Sequence, residues 1–344
     1  MDLSRRSTHV VYTLCGITVI WLALLLSVRN VSAQSADGRS RIAFITADYD
    51  TRQMTISLVD PSSGQVTPLI ADGNFFYPTL SPDGRYIAFL GEHPQSRRRN
   101  IYIMGTDGSN LHPIVAGRLN LKPNGQVAWT ADSTQIIYGI LSGGRPLGFI
   151  RAHIDGSGEE RLQFPDLPGD ISETWAVLSP DGNRLAVNVS LIDPPYRQLV
   201  ILELDSVTPI TTTLPDGTPF DRLAWSPDGE RTLLSTLMLN MLEPQPLMLG
   251  TADAANVEVL LQSPPNYITS ISWSPDGNQI AFTATEMSGE SVPDGEVYVA
   301  NADGSGVRSL NIPTNVGYNG TSWSVIPDDI VLPSSPVSFA SLTN

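Results

Sequence analysis

Little in this chain suits redox, metal or nucleic-acid chemistry. Its one cysteine, Cys15, lies inside an N-terminal apolar run, so the body of the protein has neither a disulfide framework nor a thiolate metal site. Only Lys122 among the 20 basic residues is a lysine, and 35 acidic residues bring the formal charge to -15. That balance excludes a nucleic-acid backbone as partner, because phosphate binding needs a basic patch. Beyond the apolar run the histidines are His93, His112 and His153, too scattered for the clustered imidazoles of a catalytic zinc site. No Gly-x-Ser-x-Gly elbow occurs, which removes the usual cue for a serine hydrolase.

Turn formers and apolar residues are plentiful. With 28 Gly, 27 Pro and 41% hydrophobic residues, the composition suits many short strands around a real core. At the N-terminus Arg5 and Arg6 precede the apolar residues 10–28, and Val31-Ser32-Ala33 offers the small residues a signal peptidase reads. Residues 1–33 are therefore expected to be a signal peptide, or an N-terminal membrane anchor if retained, with the rest working outside the cytoplasm.

One phrase organises the remainder. Ser-Pro-Asp-Gly begins at Ser81, Ser179, Ser226 and Ser274, with altered copies at Thr130 and Ser324, so the steps are 49, 49, 47, 48 and 50 residues. So regular a period marks an array of one unit. Each phrase has a short apolar strand before it and an alternating strand after it, such as Ile87 and Phe89 or Ile280 and Phe282. A third strand then ends in an acidic turn and a fourth follows. Four antiparallel strands per unit is the grammar of a propeller blade.

Residues 41–45 match a second strand with no first strand before it, and residues 320–324 match a first strand with no complete unit after it. The expected fold is thus an all-β, six-bladed β-propeller of four-stranded antiparallel blades over residues 41–332, the first blade closed by the C-terminal strand. Residues 333–344, rich in Ser and Pro, read as a flexible tail.

The stretch from Trp273 to Phe282, with Glu296 to Gly304, resembles the WD-like propeller repeat of TolB-type proteins, and the pattern extends from Arg41 to about Leu332. The resemblance implies an exported propeller whose relatives are commonly interaction scaffolds, while a few serve as enzymes or as covers on peptidase domains. TolB proteins carry a mixed α/β domain ahead of the propeller. Here the blades begin within about ten residues of the signal, so TolB's role in an envelope complex is not implied.

Residues that recur once per blade serve the fold. On that ground the phrase Asp is a turn residue and Trp129, Trp225, Trp273 and Trp323 pack blades together. Asp-Gly-Ser turns at Asp107, Asp155 and Asp303 are fragments of calcium loops, with Glu159 and Glu160 near Asp155, but lack the full ligand set. No cofactor or metal is expected.

Unrepeated residues lie in the connections between blades, which open around the channel mouth. Tyr77, Trp175, Phe220, Tyr267 and Tyr318 are the expected contacts, with Glu173 and Asp221 as polar anchors, for a protein, peptide or glycan of the cell envelope bound by a monomeric, non-catalytic scaffold. The alternative is a carbohydrate-active enzyme, a polysaccharide hydrolase or lyase using those carboxylates. A second candidate surface is the cationic run Arg97-Arg98-Arg99, suited to an anionic polymer or lipid head group.

Overall fold

The turn phrase builds the same hydrogen-bonded hairpin in blade after blade. In the sixth, the Ser274 N–H donates to Gln279 O and the Gly277 N–H to Ser274 O, both at 2.9 Å. The Ser274 hydroxyl donates to Asp276 Oδ1 (2.6 Å) and accepts the Gln279 N–H (2.8 Å), while the Asn278 N–H donates to Asp276 Oδ1 (3.1 Å). Gly277 has φ of 71°, where a Cβ is disfavoured. The altered copy folds alike: Thr130 Oγ1 donates to Asp132 Oδ1, and Ser133 accepts a φ of 59° in the glycine's place.

A computed structural model describes residues 38–48, 51, 53–114, 122–142, 145–162, 176–190, 197–204, 210–212, 220–236, 246–254, 256–262, 267–285, 295–312 and 320–342. The residues form six antiparallel blades. The first has the order Ser322–Pro327, Gly38–Asp48, Gln53–Val59, Val66–Gly73, so the C-terminal strand does close the ring, in register Gly38 with Pro327 and Ile42 with Trp323. Blades two to six each run in sequence order, their innermost strands being Phe75–Leu80, Lys122–Trp129, Ala176–Leu178, Phe220–Trp225 and Tyr267–Trp273.

Alternation in the second strand predicts one buried face, but both are buried. Strand Tyr86–Glu92 lies inside its sheet, with a neighbouring blade on each side. Ile87 and Phe89 pack into the cluster shared with the first blade, among Ile45, Ile56 and Leu58, while Ala88 and Leu90 pack into the cluster shared with the third, among Trp129, Ile136 and Tyr138. The core is therefore a ring of interblade clusters, and each blade supplies half of two.

Two other expectations are corrected. The connections between blades, expected to be loops bearing Tyr77, Phe220, Asp221 and Tyr267, are in part strand, because innermost strands begin at Phe75, Phe220 and Tyr267, as another does at Lys122. These strands stay paired by bulging, with register shifts between Phe76 and Thr79, Asn124 and Ala128, Phe220 and Arg222, and Ile268 and Ser270. Nor is the end of the chain a loose tail. Val337 and Ser338 pair in parallel with Ile70 and Ala71 on the outer edge of the first blade, and Phe339 is fully buried. An aromatic ring with an apolar socket to fill, beside an unpaired sheet edge, has reason to dock.

Candidate functional site at the central channel

The innermost strands all run toward their turns, so positions at a fixed offset from the turn serine (threonine in the third blade) form rings around the channel. One residue after it come Pro82, Ala131, Pro180, Pro227, Pro275 and Val325; one residue before it come Leu80, Trp129, Leu178, Trp225, Trp273 and Trp323. Both rings line a cavity of about 810 Å³ at the turn end of the channel, within the range of small-ligand sites. Its lining is dominated by apolar side chains, and the charged residues there are Asp83 and Arg85 at the rim.

Away from the turns the cavity adjoins a throat of about 10 Å³ with mixed polar and apolar lining, and Gln126, Leu223, Ile271 and Thr321 line both spaces. The throat is also a ring: Tyr77, Gln126, Arg222, Ser270 and Gly320 stand four residues before the turn serine or threonine. Tyr77, Gln126, Arg222 and Ser270 sit at or beside the bulges, which re-aim side chains out of the pleat, while Gly320 precedes its strand. Ser270 Oγ lies 2.6 Å from Thr283 Oγ1 and 3.0 Å from Thr321 Oγ1, and Thr269 Oγ1 lies 2.6 Å from Thr283 Oγ1, so hydroxyls furnish one side of the throat. Tyr77 occupies the left-handed region at φ 53°, which a bulky side chain reaches only at a cost of roughly 1–3 kcal/mol. Gly320 accommodates it, since a Cβ there would lie 3.1 Å from Tyr77 Cα.

The cavity tryptophans also join the blades. Trp129 Nε1 donates to Thr79 O (3.0 Å) and Trp273 Nε1 to Ala224 O (3.2 Å), each reaching the innermost strand of the preceding blade. Their faces are covered from that blade as well, by Tyr86 stacked on Trp129 and by the guanidinium of Arg231 over Trp273. Arg184 covers Trp225 in the same way, yet Trp225 Nε1 is buried without a hydrogen-bond partner among the described residues. Trp129→Phe and Trp273→Phe should therefore each lose about 1 kcal/mol more in urea unfolding than Trp225→Phe, and equal losses would contradict the bonding pattern.

The phrase carboxylates are committed to their turns. Burial opposes ionisation of Asp181, Asp228 and Asp276, but the turn serine hydroxyl and the N–H two residues on outweigh it, and each carboxyl is held below its ordinary range. In the altered copy the Thr130 hydroxyl is the chief cause of the same lowering at Asp132. At Asp155 the Ser157 hydroxyl and N–H both donate to Oδ1, at 2.6 and 2.9 Å, and depress the pKa there. Among the described residues there is no grouping of three or more His, Cys, Asp or Glu fit to hold a metal.

Of the residues singled out from sequence, Tyr77 lines the throat. Phe220 and Asp221 open the innermost strand of the fifth blade, and Tyr267 that of the sixth, at the throat end but on strands. Glu173, Trp175 and Tyr318 lie outside the described residues, although Trp175 holds the throat offset in the fourth blade by sequence. Arg222, Gln126, Thr269, Ser270 and Thr321 were not anticipated as site residues. Counting four residues back from each turn would have found the first, second and fourth of these. In the cationic run, Arg97 pairs with Glu92 (3.7 Å) and Arg99 lies over the Phe76 ring (4.8 Å), so two of its three charges have partners within the blade.

Fold and channel together define an all-β six-bladed propeller whose cavity is walled mainly by apolar side chains and adjoins, among the described residues, a narrow throat of mixed lining. Its architecture is consistent with a TolB-type propeller: it is similar to a protein assigned as TolB from Agrobacterium tumefaciens, with TM-score 0.55 and 18% identity over 79% of this chain and 89% of that one. It is also similar to a chain of a nidogen/laminin complex (TM-score 0.59, 9% identity, 84% and 99% covered) and to an oligogalacturonate lyase in complex with manganese (TM-score 0.50, 15% identity, 80% and 74% covered). No family model and no curated protein matches the chain. At such identities the likeness is one of fold, and the fold is common to a lyase and to propellers of other kinds.

Proposed function

We propose that the chain is a non-catalytic, exported binding scaffold that holds a protein or peptide of the cell envelope at its central channel. The observation that carries this reading is the throat. A position repeated around the ring bears side chains that do not repeat, Tyr77, Gln126, Arg222, Ser270 and Gly320, at the floor of an apolar cavity. Packing alone would favour similar residues at equivalent places, as it does in the tryptophan ring, whereas recognition favours different ones. The apolar wall disfavours a glycan, whose hydroxyls would lose water without gaining partners.

Export rests on the signal-like residues 1–33, with residues 10–28 as a membrane tether if they are retained. The propeller acts as a monomer in this reading.

Replacing Tyr77, Tyr267 and Tyr318 together by Ala should preserve the β-sheet circular dichroism and abolish capture of a defined partner from native envelope. Capture at the wild-type level would contradict the assignment of these contacts. Polysaccharide cleavage lost on changing Asp221 or Glu173 would overturn the non-catalytic reading.

A further inference from the structure

We infer that the segment held in the channel is an apolar stretch of polypeptide flanked by lysine or arginine, its apolar side chains filling the cavity and its cations lying against the carboxylates of the turn face. This rests on the channel being the binding site and adds the chemistry of the bound segment.

The charge of the protein is unevenly placed. The two turns of a blade lie on one face, because they are hydrogen-bonded to each other: the Thr106 N–H donates to Arg85 O, the Ile154 N–H to Thr134 O and the Ala302 N–H to Asn278 O, at 2.9, 3.1 and 2.8 Å. To that face the phrase turns contribute Asp83, Asp132, Asp181, Asp228, Glu230 and Asp276, against Arg85, Arg184 and Arg231. All three guanidiniums are engaged, Arg85 with Asp329 at 3.0 Å and the other two over the rings of Trp225 and Trp273. The second turns add Asp107, Asp155, Asp253 and Asp303 and no lysine or arginine. A cation is therefore drawn to this face and an anion repelled.

The cavity is a second feature, independent of that charge, and it abuts the same face. Pro82, Pro180, Pro227 and Pro275 line it, each one residue before a phrase carboxylate, and Asp83 is itself a lining residue. Apolar side chains gain by entering such a space, whereas a cation keeps its water and its carboxylate neighbours by staying at the edge. Two polar atoms of the wall favour a polypeptide as the occupant. Trp225 and Ser272 are each more than nine-tenths buried, and Trp225 Nε1 and Ser272 Oγ have no hydrogen-bond partner among the described residues. A peptide backbone brings carbonyls and amides to such groups, and an acyl chain brings none.

Isothermal titration calorimetry on the full, unmodified chain compares three N-acetylated, C-amidated peptides: a core of Ala, Val, Leu, Ile and Phe between pairs of Lys, the same core between pairs of Glu, and a Gly-Ser core between pairs of Lys. The first should bind about ten-fold or more tightly than either of the others. Raising the salt from about 50 mM to about 500 mM should remove most of its advantage over the Glu peptide and leave its advantage over the Gly-Ser peptide. Ala131→Trp, at an exposed position of the cavity wall, should weaken it about ten-fold. Equal binding of the Lys and Glu peptides overturns the charge assignment. Equal binding of the two Lys peptides, or unchanged binding to Ala131→Trp, overturns the place of the apolar core in the cavity. Palmitate binding more tightly than the first peptide overturns the choice of a polypeptide. If all three peptides fail while a cross-linker in the cavity still captures a partner, this inference falls and the channel-binding reading stands.

Discussion

Phe339→Ala is expected to lower the stability of the propeller by about 3–5 kcal/mol, the usual range for emptying a buried aromatic site. Phe339 is fully buried, with its ring edge-on to Phe75 and Tyr102 at centroid separations of 5.0 Å and to Phe89 at 6.2 Å. The socket is shaped for it. A Cβ on Gly73 would lie 2.9 Å from Phe339 Cδ1, and one on Gly91 would lie 3.1 Å from Cζ, so two glycines leave the room the ring takes.

The topology multiplies the effect. Residues 322–342 contribute the inner strand of the first blade and also the short parallel strand at its outer edge, so one C-terminal segment clasps both edges of the sheet that closes the ring. Without Phe339 the outer clasp loses its anchor. Ser338→Ala, which removes only an exposed hydrogen bond to Asp72, serves as the near-neutral control. Urea unfolding measures both, and a loss below about 1 kcal/mol for Phe339→Ala would show that the segment merely rests on the surface.

Gly84→Ala and Gly182→Ala form a matched pair with different expected costs. Both glycines sit in the repeated turn with positive φ, 69° and 75°. An alanine pays roughly 1–2 kcal/mol for that conformation at either place. At Gly182 no atom of the described residues lies within 4 Å of the added Cβ, so the cost should stop there. At Gly84 the Cβ would lie 2.0 Å from Val325 O and 3.0 Å from Ile326 Cα, backbone atoms of the strand that closes the ring. That strand must move, which adds about 1–3 kcal/mol and strains the closure itself. Gly84→Ala is expected to unfold at clearly lower urea than Gly182→Ala. Equal midpoints would contradict the close approach of the first turn to the closing strand.

The blade was legible because its defining interactions are local. Proline at the second turn position, a carboxylate two residues after the serine and a residue tolerating positive φ favour the hairpin within six residues, and Thr130 to Gln135 forms it on the last two alone, with Ala131 in the proline's place. Blade count and closure then follow from spacing. Burial on both faces of the second strand was not legible, since Ala88 looks like the solvent side of an alternating strand until a neighbouring blade covers it. The tail was misread for a related reason. Phe339 belongs to no repeat, and its socket is made by Gly73, Phe75, Phe89 and Gly91, more than 200 positions away in the chain.

The site was half legible. Tyr77 stood out as an unrepeated aromatic ahead of a turn, and it lines the throat. Arg222 stood in the same connection as Phe220 and Asp221 but was not chosen with them; a bulge keeps all three in the strand, paired again from Arg222 onward. The place of the cavity was also hidden. The tryptophan and proline rings line the cavity because every innermost strand runs toward its turn, a consequence of strand direction in three dimensions.

The most direct test of the channel as the binding site is site-specific photo-cross-linking in cells producing the full chain. A benzophenone amino acid at Ala131, exposed at the cavity rim, is compared with one at Val259, 52% exposed on the outer strand of the fifth blade. A discrete adduct from Ala131 and none from Val259 is the predicted result. An adduct from Val259 with none from Ala131 would place the partner on the outer rim of the propeller and contradict the channel.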